Sequence, residues 1–229
     1  MKKDTRQDIV DAFVGRVENA SLSKVRIAEL ISTLGINRNT FYYYFSNKQD
    51  VAMYVLRTDL DFELRSTFPE RELICAPCFD KDDEPPLAYY IHVETGARTL
   101  DASGFMRSFV RAALSRPAFY RKLFNAQEPD FSRSVASLYW PVIEHDIDFI
   151  LDGRYLPAPM RRLFTNHSAR YIISTTRFCL EDNDGASLLD DRTNPFWNIL
   201  HESLYNAIQA HPVNRYAKKT STPPARFVR

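Results

Sequence analysis

Hydrophobic side chains recur at three- and four-residue steps near the start of the chain. Between Asp4 and Val17 the apolar positions include Ile9, Val10, Ala12, Phe13 and Val17. This spacing places them on one face of a helix, so it predicts a first helix with one buried side.

Two shorter helices are predicted next, with a tight turn between them. The first covers residues 25–33 and stops at Gly35, because glycine readily adopts the left-handed conformation that ends a helix. The second follows Asn37, a favoured N-cap residue, and continues to Phe45. Together with the first helix they predict a helix-turn-helix.

Helical patterns also dominate the rest of the chain. A fourth helix is predicted over residues 48–68, where Pro69 ends it, and the acidic, proline-containing stretch up to Pro86 is predicted to be a connector. Further helices are predicted over residues 87–100, 103–115, 118–125, 130–151, 159–180 and 194–211. The chain has only 6 glycines and no regular alternation of β-branched residues, so a sheet-based fold is not expected.

These patterns predict an all-α fold with two domains. Residues 1–50 form the predicted three-helix helix-turn-helix domain. Residues 51–211 form a larger helical domain that senses a ligand, holds a dimer, or both. Residues 212–229 carry basic but no acidic side chains and are predicted to be disordered.

Composition narrows the setting of the protein. The formal net charge of +1 gives no overall sign of nucleic-acid binding. The N-terminus is charged and no apolar stretch approaches the roughly 18 to 20 residues of a membrane span, which predicts a cytoplasmic protein. Three cysteines predict free thiols rather than a disulfide framework, and no motif predicts a bound cofactor.

Positive charge is concentrated in the first 57 residues. There, nine lysine and arginine residues stand against six aspartate and glutamate residues, a net charge of +3. This segment is more basic than the whole chain, as binding to DNA phosphates favours.

The second helix of the helix-turn-helix carries side chains that suit DNA. Arg38 and Asn39 lie at its start and can reach base edges, where arginine pairs with guanine and asparagine with adenine. Further DNA contacts, mainly to phosphates, are expected from Thr40, Tyr42, Tyr43 and Lys48. Three consecutive tyrosines cannot all face DNA, so Phe41, Tyr44 and Phe45 are expected to anchor the helix to the core.

The same segment resembles the N-terminal domain of the tetracycline-repressor (TetR) family. The resemblance rests on Ile27-x-x-Leu30-Ile31-x-x-Leu34-Gly35-Ile36-Asn37, on Thr40-Phe41-Tyr42-Tyr43-Tyr44-Phe45, and on Lys48 at the start of the next helix. It covers residues 5–60 and departs from the family pattern at Tyr44, where many members have histidine. The resemblance implies a transcriptional regulator of repressor type that binds a palindromic operator as a homodimer and is released by a small-molecule effector.

The larger domain offers candidates for dimerisation and for ligand binding. Apolar residues at helical steps in the last two long helices predict a dimer interface that includes Phe164, Tyr171, Phe178, Trp197, Leu200 and Leu204. Aromatic and polar residues in the middle of the chain predict an effector pocket lined by Tyr89, His92, Phe105, Phe109 and Trp140. For both groups the alternative is that these residues simply form the core of the monomer.

Other functional classes have less support. Cys75 and Cys78 form a Cys-x-x-Cys pair, but zinc needs two further ligands, so a plain connector is favoured over a metal or redox site. No acid-base or nucleophilic constellation is present, so an enzyme is not expected. The alternative to a DNA-binding regulator is an all-helical ligand-binding or adaptor protein that does not bind DNA.

Overall fold

A computed structural model describes residues 4–76, 86–125, 127–182, 185–190 and 194–210, and the fold within them is predominantly helical. The helices are α1 (Thr5–Asn19), α2 (Ile27–Leu34), α3 (Arg38–Tyr44), α4 (Lys48–Thr67), α5 (Ser103–Ser115), α6 (Pro117–Leu123), α7 (Pro129–Leu151), α8 (Ala158–Glu181), α9 (Asn194–Trp197) and α10 (Ile199–Ala210). Short 3-10 turns cover Leu22–Lys24, Glu70–Glu72 and Gly185–Leu189. The predicted all-α class is confirmed, with two small antiparallel strand pairs added to it.

The first three helices, with the start of α4 up to residue 50, form the predicted helix-turn-helix domain, called the head below. Asp4 caps α1 by accepting hydrogen bonds from the backbone N–H groups two and three residues later. Gly35 ends α2 with a φ of 63°, a left-handed conformation that glycine adopts without steric cost. Asn37 then caps α3, because its side-chain oxygen accepts a hydrogen bond from the Thr40 backbone N–H at 2.7 Å.

The rest of α4 and helices α5 to α10, called the body below, share a hydrophobic core with the head. Helix α4 contacts α1 and also packs along α5, α7 and a strand of the body. Phe13 of α1 meets Phe119 of α6 edge-on, with ring centroids 6.1 Å apart. One apolar cluster of described residues extends from Ile9 to Ile208. The predicted division of the chain at residue 50 therefore crosses a continuous core and stays a prediction.

Residues 87–100, predicted as a helix, form strands instead. The strands are β1 (Ile74–Ala76), β2 (Leu87–Tyr90), β3 (Val93–Gly96) and β4 (Thr99–Asp101). Strand β1 pairs with β2, and β3 pairs with β4, both in antiparallel orientation. In β2, half-buried and buried positions alternate with the two-residue period of a strand. The helix prediction was wrong because a short apolar run fits either period, whereas aromatic and β-branched residues favour strands.

The other helices predicted in the body are confirmed, with one change near the C-terminal end. The single helix predicted over residues 194–211 is divided at Asn198 into α9 and α10. The Asn198 side chain accepts a hydrogen bond from Ala102 N at 3.0 Å and donates one to Leu100 O at 2.9 Å. Within the described ranges, no helix is both long and apolar enough to cross a membrane. The predicted basic tail, residues 212–229, and residues 77–85 of the connector lie outside the described residues.

Candidate nucleic-acid interface

Helix α3 presents a polar and aromatic face to solvent. Arg38 and Asn39, predicted to read base edges, are both exposed. Tyr42 and Tyr43 follow them with 42% and 65% of their surface exposed. The Arg38 guanidinium carbon lies 5.4 Å from the centre of the Tyr42 ring, a cation–π contact that joins two of the predicted DNA-contacting residues.

The opposite face of α3 anchors it to the core, as predicted. Phe41 is fully buried, and Phe45, directly after the helix, is also buried. Tyr44 is half-buried, and the Arg6 guanidinium carbon lies 5.4 Å from its ring centre and 5.5 Å from that of Tyr54. This packing fixes the rotation of α3, so the exposed face keeps one orientation.

Polar contacts hold the turn between α2 and α3. Arg16 of α1 donates to Thr33 Oγ1 at 2.6 Å and to the Glu29 backbone oxygen at 3.2 Å, and it pairs with the Glu29 carboxylate at 3.3 Å. The Thr40 hydroxyl donates to Asn37 Oδ1 at 3.0 Å. Thr40 therefore supports the cap of α3, while its hydroxyl oxygen retains lone pairs for other partners.

The ammonium group of Lys48 is fully hydrogen-bonded within the head. Its ammonium donates to the backbone oxygens of Leu22, Ser23 and Val25 at 2.8, 2.9 and 3.3 Å. A lysine ammonium has three N–H donors, so these three oxygens use all of them. Lys48 thus holds the segment that precedes α2, and the phosphate contact expected of it stays a prediction.

The body reaches the same segment from the other side. Glu128, placed just before α7 and 8% exposed, accepts a hydrogen bond from the Ser23 backbone N–H at 2.8 Å. Lys48 and Glu128 therefore grip one short segment from the head and from the body. No sequence motif indicated either contact, because the partners are 25 and 105 residues apart.

The residues predicted to line an effector pocket lie in or beside the packed interior of the body. Phe105 and Phe109 are buried, with ring centres 5.0 and 5.8 Å from that of Tyr139, and Tyr89 stacks on the same ring at 5.9 Å. Trp140 is half-buried. Beside Phe105 the core leaves a space of about 20 Å³, which is room for about one water molecule.

His92, also predicted in that pocket, belongs to a buried polar cluster around Asp146 of α7. The Asp146 carboxylate is 1% exposed and accepts a hydrogen bond from Tyr90 Oη at 2.6 Å. His201 Nε2 of α10 lies 2.9 Å from Oδ2, and His92 Nδ1 lies 2.8 Å from Oδ1, at an angle poor for a hydrogen bond. Among the described residues, no group of His, Cys, Asp and Glu is arranged to hold a metal ion.

These contacts set the charges of the cluster. Burial alone would raise the pKa of Asp146, but His201, His92 and Tyr90 lower it to about 2. The carboxylate raises the pKa of His92 against the opposing effect of burial, and burial raises that of Tyr90. The buried carboxylate is therefore ionised at neutral pH and stabilises a proton on the neighbouring histidine.

The six residues predicted at a dimer interface divide between core and surface. Trp197 and Leu204 are buried in the monomer, and Phe164, Tyr171 and Leu200 are half-buried. Phe178 of α8 is 58% exposed. Four further large apolar side chains on α8, α9 and α10 are also exposed, namely Met160, Leu163, Phe196 and Ile199.

One cysteine of the Cys-x-x-Cys pair lies among the described residues. Cys75 lies on β1 as a half-buried free thiol, whereas Cys78 lies outside the described residues. Burial raises the pKa of the Cys75 thiol, which disfavours the reactive thiolate.

Comparison with known proteins gave matches among solved structures alone. No family model and no curated protein matches the chain. The dihydroxyacetone kinase operon activator DhaS is 15% identical with a TM-score of 0.38, covering 90% of this chain and 95% of its own. The TetR family repressor AlkX from Dietzia sp., implicated in biodegradation of n-alkanes, is 19% identical with a TM-score of 0.38 over 89% and 97% of the two chains. A TetR family regulator from Chloroflexus aurantiacus is 14% identical with a TM-score of 0.36 over 92% and 90%. Likenesses this distant carry no argument about function, and the structures similar to this chain include TetR family regulators.

Proposed function

We propose that this protein is a sequence-specific DNA-binding transcriptional regulator of TetR type that places α3 in the major groove. The observation that carries the proposal is the division of α3 into two faces. Phe41 and Phe45 are fixed in the core, while Arg38, Asn39 and Tyr43 are exposed on a helix held by a glycine turn. The second helix of a helix-turn-helix reads base edges from such a position.

The exposed residues divide by the contacts that their chemistry allows. Arg38 and Asn39 are in the first turn and carry the paired donors and acceptors that discriminate base pairs. Thr40, Tyr42 and Tyr43 offer hydroxyl groups that suit phosphates, which set position rather than sequence. The cation–π contact with Tyr42 limits the freedom of Arg38, so less entropy is lost when it binds a base.

We further propose that the protein acts as a homodimer through α8 and the C-terminal helices. The exposed apolar side chains Leu163, Phe178, Phe196 and Ile199 support this, since burial against a second copy would remove them from water. Two heads held in this way would meet two half-sites about 34 Å apart, or a multiple of that distance, on a palindromic operator. Repression and release by an effector are the expected mode of regulation.

Selection of bound sequences from a random duplex pool tests the proposal. Wild-type protein should enrich a palindrome, and Arg38→Ala should loosen one position in each half-site, with a loss of about 1–3 kcal/mol there. Arg71→Ala is the control, because it removes one exposed positive charge from a 3-10 turn of the body. Absence of any enriched sequence, or an unchanged consensus with Arg38→Ala, would contradict the proposal.

The dimer has its own test. Phe178→Asp should shift the protein towards the monomer in light scattering after size-exclusion chromatography, because it places a charge in an apolar interface. Tyr155→Asp is the control, as Tyr155 is an aromatic residue of similar exposure that lies between α7 and α8. A dimer that tolerates Phe178→Asp would place the interface elsewhere.

A further inference from the structure

A polar pocket lies between the β3–β4 hairpin and α10, outside the aromatic interior of the body. It has a volume of about 240 Å³ and is partly enclosed. Thr95 and Thr99 line it from the hairpin, and His201, Glu202 and Tyr205 line it from α10. It is smaller than the pockets of drug-sized ligands, roughly 300–1,000 Å³, so it suits a small compound.

The hairpin wall of the pocket is fixed to the body at its turn. Arg98, between β3 and β4, has a φ of 66° and pairs with Asp152 at 2.7 Å. Its guanidinium carbon also lies 5.2 Å from the centre of the Phe149 ring. Asn198 also lines the pocket, and its side-chain amide is already hydrogen-bonded to the backbone of residues 100 and 102. The pocket is therefore bounded by elements that hold each other in place.

The buried cluster positions His201 at this pocket. Since ionised Asp146 can only accept hydrogen bonds, the 2.9 Å contact requires the proton of His201 to be on Nε2. In the neutral ring, Nδ1 then carries a lone pair, and no described residue donates to it. Burying the Asp146 carboxylate costs free energy. One result is that His201 is held in a single tautomer at the wall of the pocket.

Of the remaining lining groups, Glu202 carries a negative charge, and the hydroxyls of Thr95, Thr99 and Tyr205 and the amide of Asn206 can accept as well as donate hydrogen bonds. Glu202 is exposed, and its carboxylate has no partner among the described residues. The hydroxyls of Thr95 and Thr99 lie 3.2 Å apart and retain lone pairs. The described lining includes no lysine or arginine. An anion would meet repulsion from Glu202, whereas a ligand with a positive charge and several N–H donors would find partners.

We propose that this pocket binds a small aliphatic amine, with Glu202 pairing to the ammonium group and His201 Nδ1 and the two threonine hydroxyls accepting further hydrogen bonds. The site stands without reference to DNA, and its use as an effector site would rest on the function proposed above. Helix α10 supplies both Glu202 and His201, so an amine would bind across one turn of one helix and the facing hairpin.

Isothermal titration calorimetry on the full chain without DNA tests the proposal, with putrescine and ethanolamine as probes and glycerol and acetate as neutral and anionic comparisons. The amines should bind saturably, and Glu202→Gln should weaken them about tenfold or more, since a charged hydrogen bond contributes about 1.5–3 kcal/mol. Glu94→Gln is the matched control, because Glu94 is an exposed glutamate on the same hairpin that does not line the pocket.

A second variant tests whether the effect of Glu202→Gln comes only from the loss of a negative charge near the pocket. Thr99→Val keeps the shape of the side chain but removes its hydroxyl, and it should weaken amine binding while leaving the melting temperature nearly unchanged. The proposal is overturned if neither amine binds, if glycerol or acetate binds as well as the amines, or if Glu202→Gln and Glu94→Gln behave alike. Because no DNA is present, these results are independent of the DNA selection.

Discussion

Replacement of Lys48 by methionine separates a structural role from a DNA contact. Methionine keeps the length of the side chain but loses the three hydrogen bonds to the backbone oxygens of residues 22, 23 and 25. A buried hydrogen bond from a charged group contributes about 1.5–3 kcal/mol. These sites are only partly buried, so water can replace much of the loss, and we expect unfolding to become easier by about 2–3 kcal/mol.

For a chain of this size such a loss should lower the melting temperature by about 4–10 °C, measured by circular dichroism. Lys24→Met is the matched control, because Lys24 is an exposed lysine of the same segment whose side chain makes no hydrogen bond to the described residues. It should leave the melting temperature nearly unchanged.

The salt dependence of DNA binding then distinguishes the two roles. A lysine that neutralises a phosphate contributes about one unit to the slope of log K against log salt, whereas a lysine that only orders the head does not. We expect Lys48→Met to weaken DNA binding while leaving that slope unchanged. A normal melting temperature together with a slope reduced by about one would refute the structural role and restore the phosphate contact predicted from the sequence.

Three further predictions concern pH and backbone geometry. The folded-state pKa of His92 is raised, so its stabilising contact with Asp146 is fully present below about pH 6.5 and is lost as pH rises through that pKa. The difference in melting temperature between wild type and His92→Gln should therefore narrow from pH 6 to pH 9. Gly185→Ala should destabilise by several kcal/mol, or prevent folding, because a Cβ there would lie 2.0 Å from the backbone oxygen of Cys179, and thermal melts would show it. Gly35→Ala should cost about 1–2 kcal/mol in chemical denaturation, because alanine is strained at a φ of 63°, and an unchanged midpoint would contradict that reasoning.

Local periodicity was sufficient to find most of the fold. The helices of the head have capping residues and apolar spacing that are visible in the sequence, and their boundaries agree with the structure closely. The β3–β4 hairpin was missed because each of its strands is three or four residues long, too short for a two-residue period to stand out from a helical one.

The contacts that define the sites depend on residues distant in sequence. Asp146 is next to His145 in sequence, but adjacent residues of a helix face different ways, so its sequence neighbours give no sign of a buried cluster. Its partners come from β2, from the residue before β3 and from α10, about 55 residues away on either side. The three hydrogen bonds from Lys48 to backbone oxygens could not be predicted either, because every residue has a backbone oxygen and the sequence does not indicate which ones accept.

The core shared by head and body has a consequence for how such a protein can change over generations. Phe13 and Phe119 lie on opposite sides of the head–body boundary, and Glu128 reaches across it to Ser23. Recombination that joined this head to an unrelated body would leave Phe13 without its partner ring and Ser23 without its acceptor. The exposed residues Arg38 and Asn39 of α3 make no contact of this kind across the head–body boundary. Under the proposed function, new operator preferences should therefore arise by point substitution at Arg38 and Asn39, while exchange of whole heads should be selected against.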